Sequence, residues 1–261
     1  MPVTIDPHAI VSPKAQLGEN VQVGPFTIVE DDVVIGDDTH IASNVLIASG
    51  SRIGKECHIY HGAVLGTPPQ DLKYRGETTT LEVGDHTTIR EYATLNRGTH
   101  DRWKTTVGSN CFIMAYVHIA HDCDVGNHVI LANCVNMAGH VVIEEHSIIG
   151  GVTPIHQFVH IGRHAMIGGG FRVPKDVPPY VLAGHEPMVY QGLNMVGLKR
   201  RNFSIEAINT LESTYRILYQ SHLNVSQALE RIGKEVPQTE EVKHVVDFVS
   251  SSKRGIIGSR R

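Results

Sequence analysis

Aromatic residues are scarce, at 6% of 261 residues with a single Trp. That is thin for a globule of this size, whose core normally draws on large rings. Long apolar runs are absent as well, and none approaches the ~18–20 residues of a membrane-spanning helix. The first residues, Met1-Pro-Val-Thr4, lack a basic segment followed by an apolar stretch, so no signal peptide is expected. The four cysteines show no close pairing, which argues against a disulfide scaffold and makes a reducing cytoplasm the expected compartment. Strong charge is missing too: a formal net charge of −4 gives no global reason to bind nucleic acid. At 41% hydrophobic residues, wholesale disorder is excluded, and the length suits one large domain or two modest ones. What the chain does have is 25 Gly and 17 His.

Stepping by six from Ile5 reaches Val11, Leu17, Val23, Val29, Ile35 and onward to Val173. Of the 29 positions in this frame, 26 are apolar; Asp71, Glu77 and Asp101 are the exceptions. A helix needs apolar residues every three or four positions and a simple strand every second one, so period six fits neither alone. It fits short strands joined by tight turns, three to a coil, in a parallel β-helix. The following residue is often Gly, as at Gly18, Gly36, Gly54 and Gly126, where its backbone freedom suits a turn. Four residues after the apolar one comes a small or β-branched residue. Cys57, Cys111 and Cys123 belong to that column and read as packing residues; Cys134 lies outside it. Three hexads make an 18-residue coil, and coils stack ~4.8 Å apart, so residues 18 apart lie above one another.

Two excursions leave the prism without disturbing its phase, near 66–82 and 99–106. Binding residues tend to sit on such loops. Beyond Val173 the clock stops, and the pattern turns helical after about residue 190. Ser204 can cap a helix presenting Ile205, Ile208, Leu211 and Leu218. A second helix is predicted over 225–233, and a third begins at Thr239. The expected division is a β-helix over 1–187 and an α-helical unit over 188–261. Lys199, Arg200, Arg201, Lys253, Arg254, Arg260 and Arg261 make the tail locally basic, which invites an acidic partner or a phosphate.

The densest chemistry begins at His118 and runs to His128. By the stacking rule His121 lies under Gly139, which lies under Gln157. Asp122 lies under His140, and Ala138 under His156. None of these polar side chains falls in the inward column, so an outward, exposed constellation is expected. A neutral imidazole oriented by a carboxylate is a general base. Three imidazoles could instead hold zinc.

The repeat resembles the hexapeptide-repeat, left-handed β-helix acyltransferases, and within them the UDP-N-acetylglucosamine O-acyltransferase family of lipid A biosynthesis. The resemblance spans essentially the whole chain. It rests on Pro69-Gln-Asp-Leu-Lys-Tyr74, Arg97-Gly-Thr99, His118-Ile-Ala-His-Asp-Cys123, Ala138-Gly-His140, His156-Gln-Phe158, Asp176-Val-Pro-Pro-Tyr-Val181 and Gly197-Leu-Lys-Arg-Arg201. It implies a left-handed coil, a cytoplasmic homotrimer with active sites between subunits, and transfer of an (R)-3-hydroxyacyl chain from acyl carrier protein to the sugar 3-hydroxyl. It implies His121 as base, Asp122 as its orienting group and the Gly139 amide as oxyanion donor. Gln70, Asp71, Lys73, His118, His140, His156, Gln157, Asn194, Arg200 and Arg201 match substrate-binding positions, and Gly151 and Gly169 line the acyl groove. Neither cofactor, metal nor stable membrane insertion is implied. Val196 stands where the family commonly has Glu, Asn96 where it has His, and Phe171 and Arg172 where it has small residues. The competing readings are a relative preferring a 3-amino nucleotide sugar, a zinc-dependent hydratase of the carbonic-anhydrase type and a non-enzymatic solenoid used as a spacer or binding module.

Overall fold

The computed structural model describes residues 2–259. Two- to four-residue strands wind into a left-handed parallel β-helix with three sheets, one to each side of a triangular prism. The first sheet starts at Thr4–Ile5, the second at Ile10–Val11 and the third at Gln16–Leu17. Register follows the 18-residue coil, with Gln22 opposite His40 and Val23 opposite Ile41. Across the first excursion the offset becomes 30, with Leu65 opposite Leu95. Across the second it becomes 24, with Val83 opposite Val107. The insertions are therefore two hexads and one hexad, which is why the phase survives. Both leave the prism at the edge between the second and third sheets. They are shorter than expected, because strands Val64–Thr67, Thr80–Val83 and Lys104–Val107 reclaim their ends.

The inward column forms the core. Ile41, Ile47, Leu65, Ile89, Leu95, Ile113 and Ile119 are fully buried. Each such side chain contributes roughly 1.5–3 kcal/mol of transfer free energy. Ile5 is 44% exposed because no coil lies beneath it. The small-residue column is buried too: Thr27 and Thr39 donate their hydroxyls to the carbonyls of Ala42 and Gly54 in the next coil. Cys57, Cys111 and Cys123 pack there as buried free thiols, while Cys134 is exposed.

The glycine column has a different cause from the one expected. The left-handed corner residues are mostly not glycine: Asn20, Asp38, Asn110, Asp122, His128 and His140 all have φ near +60°. Asn, Asp and His tolerate this region better than most side chains. The glycines after the apolar column stand instead where coils approach most closely. A β-carbon at Gly36 would lie 2.7 Å from the Gly54 carbonyl carbon, so a side chain would push the coils apart.

The phase fails after Val173, which still bridges to Ile155, 18 residues away; Val177 bridges to Ile161, only 16 away. A hairpin of Val181–Gly184 and Val189–Leu193 then extends the first sheet and straddles residues 187 and 188. Four helices follow among the described residues: α1 (Met195–Arg200), α2 (Ile205–Gln220), α3 (Val225–Glu235) and α4 (Glu240–Ser251). Ser204 and Thr239 cap α2 and α4 as expected, but Ile205 turns outward at 72% exposure. Asn224 and Gln227 form a reciprocal capping box on α3. Helix α4 is pinned to the third sheet by a half-buried network. Glu144 lies 2.8 Å from His160 Nε2 and 2.9 Å from His244 Nε2, and Arg163 Nε donates to His244 Nδ1. Burial alone would raise the Glu144 pKa, but the two imidazole contacts outweigh it and hold the carboxyl far below its usual range.

Candidate active site

The edge between the second and third sheets carries the reactive cluster. His121 follows the strand His118–Ile119, and Asp122 takes the left-handed corner with φ 59°. That corner turns the carboxylate back toward the preceding imidazole, and His121 Nδ1 sits 2.7 Å from Asp122 Oδ2. A carboxylate can only accept, so Nδ1 carries the proton and Nε2 is left as a lone-pair base. The ring lies against Gly139 one coil above. A β-carbon there would fall 2.6 Å from His121 Cε1 and 2.8 Å from Nε2, so only glycine admits the imidazole. Among the described residues the Gly139 amide has no hydrogen-bond acceptor.

The exposed constellation expected from the stacking rule is partly corrected. Asp122 is fully buried, and the His121 and His140 side chains are only 13% and 12% exposed. The cause is the one-hexad insertion, which folds over the carboxylate. Thr99 donates its amide and its hydroxyl to Asp122, at 2.9 and 2.6 Å, and Arg102 Nη1 donates to the Asp122 carbonyl. Burial pushes the Asp122 pKa up, but hydrogen bonds from His121 and Thr99 outweigh it and bring it to about 2. Thr99, Asp101 and Arg102 were missed as site residues, because an insertion obeys no stacking rule. The available signal was the Arg97-Gly-Thr99 motif, which Thr99 closes at the start of the insertion.

The other expected residues divide into groups. His140 stands edge-on to His121 with centroids 5.2 Å apart, stacks on Phe158 at 4.5 Å, and approaches Asp101 at 3.6 Å. Burial lowers its pKa, against the opposing pull of Asp122. His118 Nδ1 lies 2.7 Å from the Thr94 hydroxyl, and burial followed by the His121 charge lowers its pKa. His156 donates Nδ1–H to the Gln157 carbonyl, and both residues are exposed. Gln70, Asp71 and Lys73 lie on the two-hexad insertion from the same edge, where Asp71 accepts from the Lys73 amide. Arg97 holds that loop by donating to Tyr74 Oη and to the Ser49 carbonyl. Asn96 is buried and donates Nδ2–H to Thr67 Oγ1 and the Pro68 carbonyl, fastening the loop base. One ligand atom each from His121, Asp122 and His140 lies within 4.8 Å of the others, a set able to hold a metal ion. Three imidazoles do not converge in this way among the described residues.

Asn194, Arg200 and Arg201 lie elsewhere. With His146, Val196 and the outward side chains of Ile130, Ile148 and Met166, they line a cavity of about 610 Å³ between α1 and the first sheet. A prism edge between two sheets is opposite the third, so one chain does not bring this cavity to His121. Asn194 caps α1 by accepting from the Gly197 amide and donates to the His164 carbonyl. Arg260 and Arg261 lie outside the described residues. Gly151 and Gly169 are stacked on the edge between the first and second sheets. A β-carbon on Gly169 would meet the Gly151 oxygen at 2.9 Å. The Phe171 ring lies over Gly168 and Gly184, and Arg172 pairs loosely with Glu186 at 3.8 Å. No helix among the described residues is long and apolar enough to cross a membrane.

Comparison with known proteins agrees with this architecture. A family model described as UDP N-acetylglucosamine O-acyltransferase, domain 2, matches residues 176–257, and hexapeptide-transferase repeats match 14–49, 32–67 and 104–139. The acyl-[acyl-carrier-protein]–UDP-N-acetylglucosamine O-acyltransferase of Thiobacillus denitrificans is 47% identical over 97% of this chain and 99% of its own length. The crystal structure of a UDP-N-acetylglucosamine acyltransferase from Bacteroides fragilis superimposes with a TM-score of 0.95 at 46% identity, covering 97% of this chain and all of that one. Its counterpart from Francisella novicida gives a TM-score of 0.96 at 35% identity, over 99% and 95% of the two chains. The chain belongs to the UDP-N-acetylglucosamine O-acyltransferase family.

Proposed function

We propose that the protein transfers an (R)-3-hydroxyacyl chain from acyl carrier protein to the 3-hydroxyl of UDP-N-acetylglucosamine, the first step of lipid A biosynthesis. The observation that carries the mechanism is the His121–Asp122 pair at 2.7 Å with its imidazole seated on Gly139. His121 Nε2 removes the sugar hydroxyl proton as the oxygen attacks the thioester carbonyl. Asp122 holds the tautomer and balances the imidazolium that forms. The Gly139 N–H donates to the tetrahedral oxyanion. Collapse expels the carrier thiolate, which takes the proton back from Nε2. A thioester is already activated, so a base and an oxyanion donor suffice.

In this reading His118, His140, His156 and Gln157, with Gln70, Asp71 and Lys73 of the two-hexad insertion, contact the substrates. Asn194 positions α1, whose Arg200 and Arg201 meet phosphate or the acidic carrier. Gly151 and Gly169 leave room for the acyl chain. A homotrimer with sites between subunits supplies what a single chain lacks, because it can set the Arg200 cavity of one subunit beside the His121 edge of the next. The prism over 1–187 then carries the chemistry, and the helical unit over 188–261 the docking surface, with the hairpin as the seam. The free thiols support a cytoplasmic location.

The test is to incubate the protein with a panel of 3-hydroxyacyl carrier proteins and both the 3-hydroxy and 3-amino nucleotide sugars, then weigh the products. A product heavier by one hydroxyacyl group, formed with the 3-hydroxy sugar, is expected. Product from the 3-amino sugar alone overturns the acceptor assignment.

A further inference from the structure

Beside the α1 cavity, imidazoles form a ladder. His128, His146 and His164 occupy the left-handed corner of three successive coils, with φ of 58°, 62° and 57°. Their rings stack at 4.6 and 4.9 Å, within 18° of parallel. Tyr180 continues the stack above His164, and Phe203 closes it edge-on at 5.1 Å. Stacking fixes the ring planes but satisfies no ring nitrogen. The middle ring, His146, lines the cavity together with Arg200 and Arg201. Its Nδ1 is buried and has no partner among the described residues. An unpaired buried nitrogen of this kind is unfavourable unless a ligand or a proton changes its surroundings.

The charged and titratable groups facing His146 come from every side: His128 from the coil below, His164 from the coil above, Arg200 and Arg201 from α1, and Glu145 from its own turn. Burial, then the Arg201 charge and His128, hold its pKa below the usual histidine value, with Glu145 opposing. That field favours the neutral ring. A bound anion reverses this field: it offsets the guanidinium charges and offers an acceptor.

We propose that His146 is a further binding residue of this cavity, taking up a proton and donating it as a hydrogen bond to the diphosphate of the nucleotide sugar that Arg200 and Arg201 receive. The inference rests on the reading that this cavity takes the nucleotide. It makes binding proton-linked, so affinity strengthens as pH falls. The diphosphate of UDP-N-acetylglucosamine is a diester with no proton to lose near neutrality, so the ligand itself cannot supply that dependence.

The test is the KM for UDP-N-acetylglucosamine at saturating acyl carrier protein, from about pH 6 to about pH 8, the range a histidine spans. In the wild type KM falls toward the acid end. His146→Phe keeps a ring in the stack and removes both nitrogens. Its KM should rise about tenfold at the acid end, the loss of one charge-assisted hydrogen bond, while kcat is retained. His146→Gln keeps a donor that cannot titrate, so its KM should rise less and stay flat with pH. Thermal melting establishes that both variants fold. A His146→Phe profile that superimposes on the wild type overturns the inference and leaves the activity standing. No turnover of UDP-N-acetylglucosamine by the wild type overturns the functional reading and the inference with it.

Discussion

Replacing Asp122 by Asn tests how the buried carboxylate works. The substitution keeps the shape but removes the charge, and presents an NH₂ to groups that now donate: the Thr99 hydroxyl, the Thr99 amide and His121 Nδ1. The carboxyl pKa falls from 3.8 to about 2 in the folded protein, which is worth on the order of 2–3 kcal/mol of stability at neutral pH. Because the folded value is the depressed one, this stability is fully present above pH 3.8 and is lost as pH falls toward 2. Asp122→Asn should therefore melt lower than the wild type at pH 7, by about 5–10 °C for a chain of this size. The gap should close in acid. Turnover should drop about 10²–10⁴-fold, because the imidazole loses both its tautomer and its counter-charge. The assay pairs kcat at saturating substrates with melting curves across the acid range. Wild-type turnover in Asp122→Asn, or a melting gap that stays constant down to pH 2, would refute the reasoning.

Three further outcomes follow from the same geometry. Gly139→Ala drives a β-carbon to 2.6 Å from the His121 ring, and should lower kcat by about 10²-fold with the coil intact by circular dichroism. Glu144→Gln weakens the contacts with His160 and His244, and should cost about 1–3 kcal/mol in chemical denaturation and speed hydrogen exchange in α4. The depressed Glu144 pKa means the wild type loses this stabilisation as pH falls below the ordinary carboxylate range, so the two proteins should converge there. Gly169→Met should shift the preferred acyl carrier to shorter chains. Its β-carbon also presses on the Gly151 oxygen, so a lower melting temperature accompanies the shift, and an unchanged chain profile counts against the groove assignment.

The prism was legible because a narrow core accepts one apolar residue per hexad and nothing else sets that period. The same regularity placed His121 under Gly139 and Asp122 under His140, since stacking depends only on coil length. Whatever broke the regularity was hidden. Thr99 and Arg102 seal Asp122 from an insertion whose path no periodic rule predicts, so the carboxylate is buried where an exposed one was expected. The 181–193 hairpin carries no periodic signal because the 16-residue offset at Val177 ends the clock, whereas α1 falls where the pattern turns helical. Glycine was misread for a related reason: composition shows where glycines recur, but only the spacing of neighbouring coils shows that they relieve contact rather than permit a left-handed turn. The helix caps at Ser204 and Thr239 were readable locally, because a cap needs only its own first turn.

The central claim is that His121 is the general base of acyl transfer. The most direct measurement is turnover of UDP-N-acetylglucosamine and a 3-hydroxyacyl carrier protein by His121→Ala, beside the wild type, with product followed by mass. His121 is off the inward column, so the variant should fold, melting a few degrees lower because buried Asp122 loses its imidazole donor, while forming essentially no product. A well-folded His121→Ala protein that turns over at the wild-type rate would contradict the account.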